Sequence, residues 1–282
     1  MDPASLSHLS PKRRALYADV EAPGDWDLIF ENAEKVADAY WRDPVLDYLY
    51  EHAREPKLKR NDWTRQAHVA SSIEFLLEDF FGGKAPPNIE SMFDPTARAE
   101  AVRAMTSPRG VLAMTFHGGF AVLLRFFFNR FLDQSFIIDN KTRPKFRSVG
   151  AGNPGAALFG GLRALGEGRA VYVAPDGENG RHTGEIQVLG ANFPVTDGAP
   201  FLAYETGCQT VCFHMRRDGR IFVPVAEPGP ARAPEENFKD FRARLFEFYQ
   251  DRIEDHFTGD PHSLCLSKAW RGKLRQAMEE GQ

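Results

Sequence analysis

His117 is the side chain best placed by type and spacing to do chemistry. It ends the apolar run Gly110-Val111-Leu112-Ala113-Met114-Thr115-Phe116, which predicts a buried strand. Gly118 and Gly119 follow, and then Ala121-Val122-Leu123-Leu124-Arg125-Phe126-Phe127-Phe128, which predicts a helix entered just after the histidine. The carboxyl end of a parallel strand is where open α/β sheets place their reactive groups. A histidine there can take or give a proton near neutral pH. Two glycines let a ligand approach the backbone and leave N–H groups at the head of the helix.

A second cluster lies in Asp176-Gly177-Glu178-Asn179-Gly180-Arg181-His182, after the apolar run Ala170 to Ala174. Both runs are expected in one parallel sheet, so this loop and His117 share a sheet edge. Asp176 and Glu178 are then the carboxylates that could orient the His117 ring. Read as metal ligands, the loop's residues lack a recognised spacing, and no metal is expected.

Three other patterns are weaker. Gly150-Ala151-Gly152-Asn153-Pro154-Gly155 fits G-x-G-x-x-G, but the basic, proline-broken stretch Lys141 to Arg147 precedes it where a dinucleotide site needs an apolar strand. His117-Gly118-Gly119 is also like the oxyanion loop of esterases, yet no serine stands in a G-x-S-x-G elbow. The phenylalanines between Phe116 and Phe136 suit either a buried helix flanking the sheet, or the wall of an acyl-chain pocket or a membrane-facing patch.

Composition narrows the class. The chain has 282 residues, 43% hydrophobic and 26% charged, with a net charge of −4. That is ordinary for a soluble globule and gives no electrostatic case for nucleic acid. Cys208, Cys212 and Cys265 have no metal spacing and read as reduced structural thiols in a cytoplasmic protein. The polar stretch Met1 to Asp27 reads as no signal peptide, and no run reaches the roughly 18 apolar residues of a membrane span.

The elements that must position these residues follow from periodicity and caps. Helices are expected over Trp26–Tyr40 (capped by Asp25), from Asp43-Pro44, over Trp63–Phe81 (capped by Asn61-Asp62), and from Asp94-Pro95 to Met105. Strands near 111–116, 136–139, 170–174 and 210–215 then alternate with helices near 119–131, 154–165 and 198–206. A long glycine-rich loop is expected over 175–192, a hairpin at Arg217-Asp218-Gly219-Arg220 into 221–225, and closing helices near 234–257 and 267–278. The fold class is α/β: a mainly parallel central sheet with helices on both faces. An N-terminal helical region, residues 1–108, packs on a core of residues 109–282 as one continuous domain.

Three blocks, in order, carry a resemblance. They are Gly110 to Gly119, Leu162 to Asp176, and Phe193-Pro194-Val195-Thr196-Asp197-Gly198-Ala199-Pro200-Phe201-Leu202-Ala203-Tyr204-Glu205-Thr206-Gly207. Together they resemble the lipid A biosynthesis (late) acyltransferase family of the lysophospholipid acyltransferase superfamily, over roughly Gly110 to Leu266. The resemblance implies an acyltransferase-like core and transfer of an acyl group from an acyl thioester, on acyl carrier protein or CoA, to an amine or hydroxyl. No cofactor is implied beyond that co-substrate. His117 would be the general base, with Gly118, Gly119 and Thr196 at the substrate. Arg143, Arg147 and Arg181 are candidate contacts to a phosphate or phosphopantetheine.

The chain departs from the family at two points. The family pairs its histidine with an acid five positions on, and here that position is Val122, followed by Leu123 and Leu124. The family's N-terminal membrane anchor is not recognised either, which implies a small-molecule or carrier-bound acceptor and a cytoplasmic protein, with contact at the inner membrane face left open. Three accounts compete: an acyltransferase whose histidine is oriented by Asp176 or Glu178, a binding protein for acyl carrier, acyl-CoA or lipid, and the same fold turned to hydrolysis or condensation.

Overall fold

Alternation along three strands builds two apolar cores, one on each face of a sheet. In β1 (Val111–Met114), Val111 and Ala113 enter one core while Leu112 and Met114 enter the other. Tyr172 and Val171 of β3 (Ala170–Val173), and Phe213 and Cys212 of β6 (Gln209–Asp218), divide the same way. Side chains of neighbouring strand residues point to opposite faces, so a strand apolar on both must be covered on both.

The computed structural model describes residues 26–38, 43–54, 56–81, 88–132, 136–137, 154–177 and 183–280. The sheet order is β2-β3-β1-β6-β7, with β2 at Phe136–Ile137 and β7 at Ile221–Pro228. The pairs β2–β3, β3–β1 and β1–β6 are parallel, and β6–β7 is an antiparallel hairpin. It is a mixed α/β sheet, parallel except at the β7 edge.

Helices α1 (Trp26–Asp38), α3 (Arg60–Phe81), α4 (Pro95–Ala104) and α5 (Ala121–Phe131) supply the first core. Helices α2 (Pro44–His52), α6 (Pro154–Gly166), α7 (Gly198–Thr206), α8 (Phe238–Phe257) and α9 (Lys268–Glu280) supply the second. Residues before and after 109 therefore share both cores. Asp43 caps α2 at Val45 N–H and Asp94 caps α4 at Ala97 N–H, each with proline in the first turn. Helix α3 begins at Arg60, earlier than Asn61-Asp62 suggests as a cap, because Asp62 is accommodated in the first turn, where a carboxylate favours the helix dipole. Helix α8 begins at Phe238, with Asn237 as its cap, rather than near 234. The capping role read for Asp25 lies outside the described residues.

One expectation is corrected. The stretch 175–192 is not one open loop: β4 (Gly184–Val188) and β5 (Ala191–Val195) form an antiparallel hairpin there. Its turn puts Leu189 at φ 50° and Gly190 at φ 74°, the left-handed pair that a two-residue hairpin needs. Leucine is a poor predictor of that conformation. Tyr48 Oη donates to Leu189 O (2.8 Å) and Leu189 N–H donates to Glu254 Oε1 (3.3 Å), so tertiary contacts hold it there.

Of the two readings of the α5 phenylalanines, the buried helix flanking the sheet holds for Phe126, Phe127 and Phe128, and Phe131 is partly buried against the same core. Phe126, Phe127 and Phe128 are buried, and Phe128 packs on Tyr172 and Phe213 with ring centroids 4.8 and 5.3 Å away. They face neither a bilayer nor solvent, because the sheet face beneath them is itself apolar. Among the described residues no helix is long and apolar enough to cross a membrane.

Candidate functional site

β1 and β3 lie side by side in parallel, with Met114 opposite Val173, so the segments after them emerge at one sheet edge. His117 follows β1 and Asp176 follows β3. His117 Nδ1 lies 3.2 Å from Asp176 Oδ1, and the His117 backbone N–H donates to Asp176 Oδ2 at 2.9 Å. One carboxylate thus fixes both the ring and the backbone of the histidine.

Two more side chains close around Asp176. Trp270 of α9 donates its Nε1–H to Oδ2 at 2.6 Å. Tyr249 of α8 places Oη 2.9 Å from Oδ1 and 2.7 Å from Thr115 O, so its one proton serves either acceptor. The Asp176 side chain is 1% exposed, whereas that of His117 is 42% exposed. Burial alone would raise the Asp176 carboxyl. The His117 charge and the hydrogen bonds from His117 and Trp270 outweigh it and hold the carboxyl below the usual range. An ionised Asp176 only accepts, so Nδ1 of His117 carries the proton and Nε2 of the neutral ring carries the lone pair.

The turn after His117 is packed from behind. His117 O accepts from Ser267 N–H and Gly118 O from Cys265 N–H, each at 3.0 Å. A Cβ on Gly118 would collide with the Phe257 ring, and one on Gly119 would lie 3.1 Å from His256 Nε2. The glycines are needed for this close approach. Among the described residues no acceptor takes the N–H of Gly118 or Gly119. Behind them Phe116 meets the His256 ring edge-on at 4.9 Å, and His214 lies 5.4 Å from His256, centroid to centroid. Burial pushes His256 down to about 4 and His214 down to about 3, so both are neutral.

No protein-family model matches this chain, and no curated protein matches it.

Of the residues singled out from sequence, the structure brings His117, Asp176, Gly118 and Gly119 together. Thr196 joins them through backbone, its N–H donating to Pro175 O at 3.1 Å beside the Asp176 turn. Glu178, Arg143, Arg147 and Arg181 lie outside the described residues. Tyr249 and Trp270 were missed: they lie 73 and 94 residues beyond Asp176, on helices that only the tertiary fold brings in. Phe193 of the unforeseen hairpin stacks on Trp270, ring centroids 3.5 Å apart, and steadies it. Among the described residues no group of three or more His, Cys, Asp or Glu is placed to hold a metal ion.

Val122 explains itself in this geometry. It is 2% exposed, with its side chain in the core shared by Phe120, Phe126 and Phe127. Val122→Glu would bury a charge in an apolar core, and we expect it to cost about 3 kcal/mol or more. Urea unfolding should show that loss, with no gain in activity, because Asp176 already supplies the carboxylate at the His117 ring.

Proposed function

We propose that this chain is an acyltransferase that moves an acyl group from a thioester, on acyl carrier protein or CoA, to an amine or hydroxyl acceptor. The observation that carries the reading is the contact between His117 Nδ1 and the buried Asp176 carboxylate at 3.2 Å. The sequence lacks the expected acid at Val122, and Asp176 supplies a carboxylate to the same ring from the next strand. The resemblance over Gly110 to Leu266 supports the choice of acyl transfer among the reactions such a pair can run.

In this reading the acceptor's proton passes to Nε2 of His117 as its oxygen or nitrogen attacks the thioester carbonyl. The carbonyl electrons move onto oxygen, and the Gly118 and Gly119 N–H groups are available to stabilise that oxyanion. Asp176 stabilises the imidazolium formed. The tetrahedral intermediate then collapses and the C–S bond breaks. The departing thiolate takes the proton back, leaving ester or amide plus free thiol. Arg143, Arg147 and Arg181 remain the cations we assign to donor phosphates. The acceptor is a small or carrier-bound molecule, and the protein works in the cytoplasm or at the inner face of the membrane.

The exposure of the His117 ring, 42% of its side chain, also admits water, so hydrolysis of the same thioester is the second reading. A panel of acyl donors, scored by thiol release with and without amine or hydroxyl acceptors, tests both. His117→Ala should lower release by about 10³-fold. Unchanged release would remove His117 from the chemistry, and equal release without acceptor would assign hydrolysis.

A further inference from the structure

Helix α5 carries the turn of the candidate site on its N-terminus, yet it has no cap of its own. The residue before it, Phe120, has φ 6° and ψ 57° and makes no side-chain cap bond. Phe120 is fully buried in the apolar core, stacked edge-on against Phe222 with centroids 5.0 Å apart. The first N–H groups of a helix need acceptors from elsewhere. Here one acceptor comes from α3: Glu74 Oε1 accepts the Val122 N–H at 2.9 Å.

Glu74 is an expensive cap. Its Oε2 is buried without a hydrogen-bond partner. Burial pushes the carboxyl up to about 7, against the pull of Arg125 and of the Val122 amide, while Glu78 pushes it further up. Serine or aspartate at position 120 would cap the helix locally at far lower cost. What the distant carboxyl adds is a tie between α3 and the head of α5.

The consequence falls on the turn. Asp176 holds the His117 N–H, Ser267 and Cys265 hold the carbonyls of His117 and Gly118, and Glu74 holds the Val122 N–H after the turn. Gly118 and Gly119 lie between these anchors. We propose that Glu74 is a positioning residue of the candidate site: by pinning the first turn of α5 it holds the Gly118 and Gly119 N–H groups in register with the His117 ring. The acid missing at position 122 is thereby replaced by two carboxylates from other elements, Asp176 for the ring and Glu74 for the backbone. The inference rests on the acyl-transfer reading only for what the turn is held to do.

Two variants separate position from bulk. Glu74→Gln keeps an acceptor oxygen for the Val122 N–H, and Glu74→Met keeps the volume without one. Amide hydrogen exchange over residues 117–124 reads the anchor with no substrate present. We expect Glu74→Met to speed exchange at Val122, the amide that Glu74 holds, by about 10-fold or more. Glu74→Gln should stay within about 3-fold of the wild type. In thiol release, Glu74→Met should lower kcat by about 10-fold or more with KM for the donor nearly unchanged, and Glu74→Gln should restore most of kcat. Exchange unchanged in Glu74→Met, or a Glu74→Gln variant as impaired as Glu74→Met in both readouts, overturns the proposal. If the wild type turns over no donor, the acyl-transfer reading fails and the exchange rates alone decide the role of Glu74.

Discussion

Asp176→Asn should lower turnover by about 10³- to 10⁴-fold while the protein still folds. The hydrogen-bond inventory makes this a clean substitution. Two donors, the His117 backbone N–H and the Trp270 Nε1–H, point at Oδ2, and an asparagine oxygen in that place can accept both. The asparagine NH₂ then occupies the place of Oδ1, facing His117 Nδ1 and Tyr249 Oη. It can donate to each, with Tyr249 turning its own proton to Thr115 O. Every buried polar group keeps a partner, so the stability loss should be about 2 kcal/mol, the scale of charged hydrogen bonds replaced by neutral ones.

The ring, however, is forced into the wrong tautomer. Facing a donor, Nδ1 must accept, and the proton moves to Nε2, the nitrogen that takes the acceptor's proton in the proposed transfer. The charge that stabilises the imidazolium is lost as well. Thiol release measured alongside urea unfolding separates the two effects. A variant that folds and turns over within about tenfold of the wild type would show that Asp176 is only a structural ligand of the turn. Asp176→Ala is the poorer test, because it leaves the Trp270 and His117 N–H groups without their buried acceptor.

The residues at the ends of β1 and β3 were legible because their signals are local. An apolar run, a histidine and two glycines place His117 without knowledge of the rest of the chain, and a second run places Asp176 at the same edge. That Asp176 partners the ring was not legible. The contact depends on its burial beneath Tyr249 and Trp270, and those arrive from helices far along the chain. The β4–β5 hairpin was missed because its turn relies on Leu189 at positive φ, held by Tyr48 and Glu254 rather than by turn-forming residues. Glu74 was missed for a related reason. On α3 it reads as one charge among several on a helix face, and only the crossing of α3 with α5 turns it inward. Sequence periodicity reports an element's own preferences, whereas both surprises are contacts between elements.

Stability should fall as the solution is acidified from pH 6.5 to 4.5, and Glu74→Gln should make the fall steeper. Unfolded, His214 and His256 bind a proton near 6.5, but in the fold burial holds them down to about 3 and about 4. Below pH 6.5 the unfolded chain therefore takes up two protons that the folded chain refuses. The stability these rings contribute is complete above 6.5 and is lost as pH drops toward their folded values. His68, also lowered by burial, acts in the same direction. Glu74 acts in the opposite one. Its carboxyl titrates near 4.5 unfolded and about 7 folded, so its contribution is complete below 4.5 and is lost as pH rises through 7.

Between pH 6.5 and 4.5, unfolding then binds two protons at His214 and His256, with a further contribution from His68, and releases one from Glu74. A net uptake of one proton or more corresponds to a slope of at least about 1.4 kcal/mol per pH unit. Removing the carboxyl by Glu74→Gln leaves the histidines uncompensated and should steepen the slope by about 1.4 kcal/mol per pH unit. His256→Phe should do the reverse and lower the slope by about 1.4 kcal/mol per pH unit over the same interval, since one proton fewer is taken up on unfolding. Urea unfolding at several pH values across this window measures all three slopes. Equal slopes in the wild type and Glu74→Gln would mean that Glu74 is ionised throughout, and a wild-type slope unchanged by His256→Phe would mean that His256 is already charged behind the Gly118-Gly119 turn.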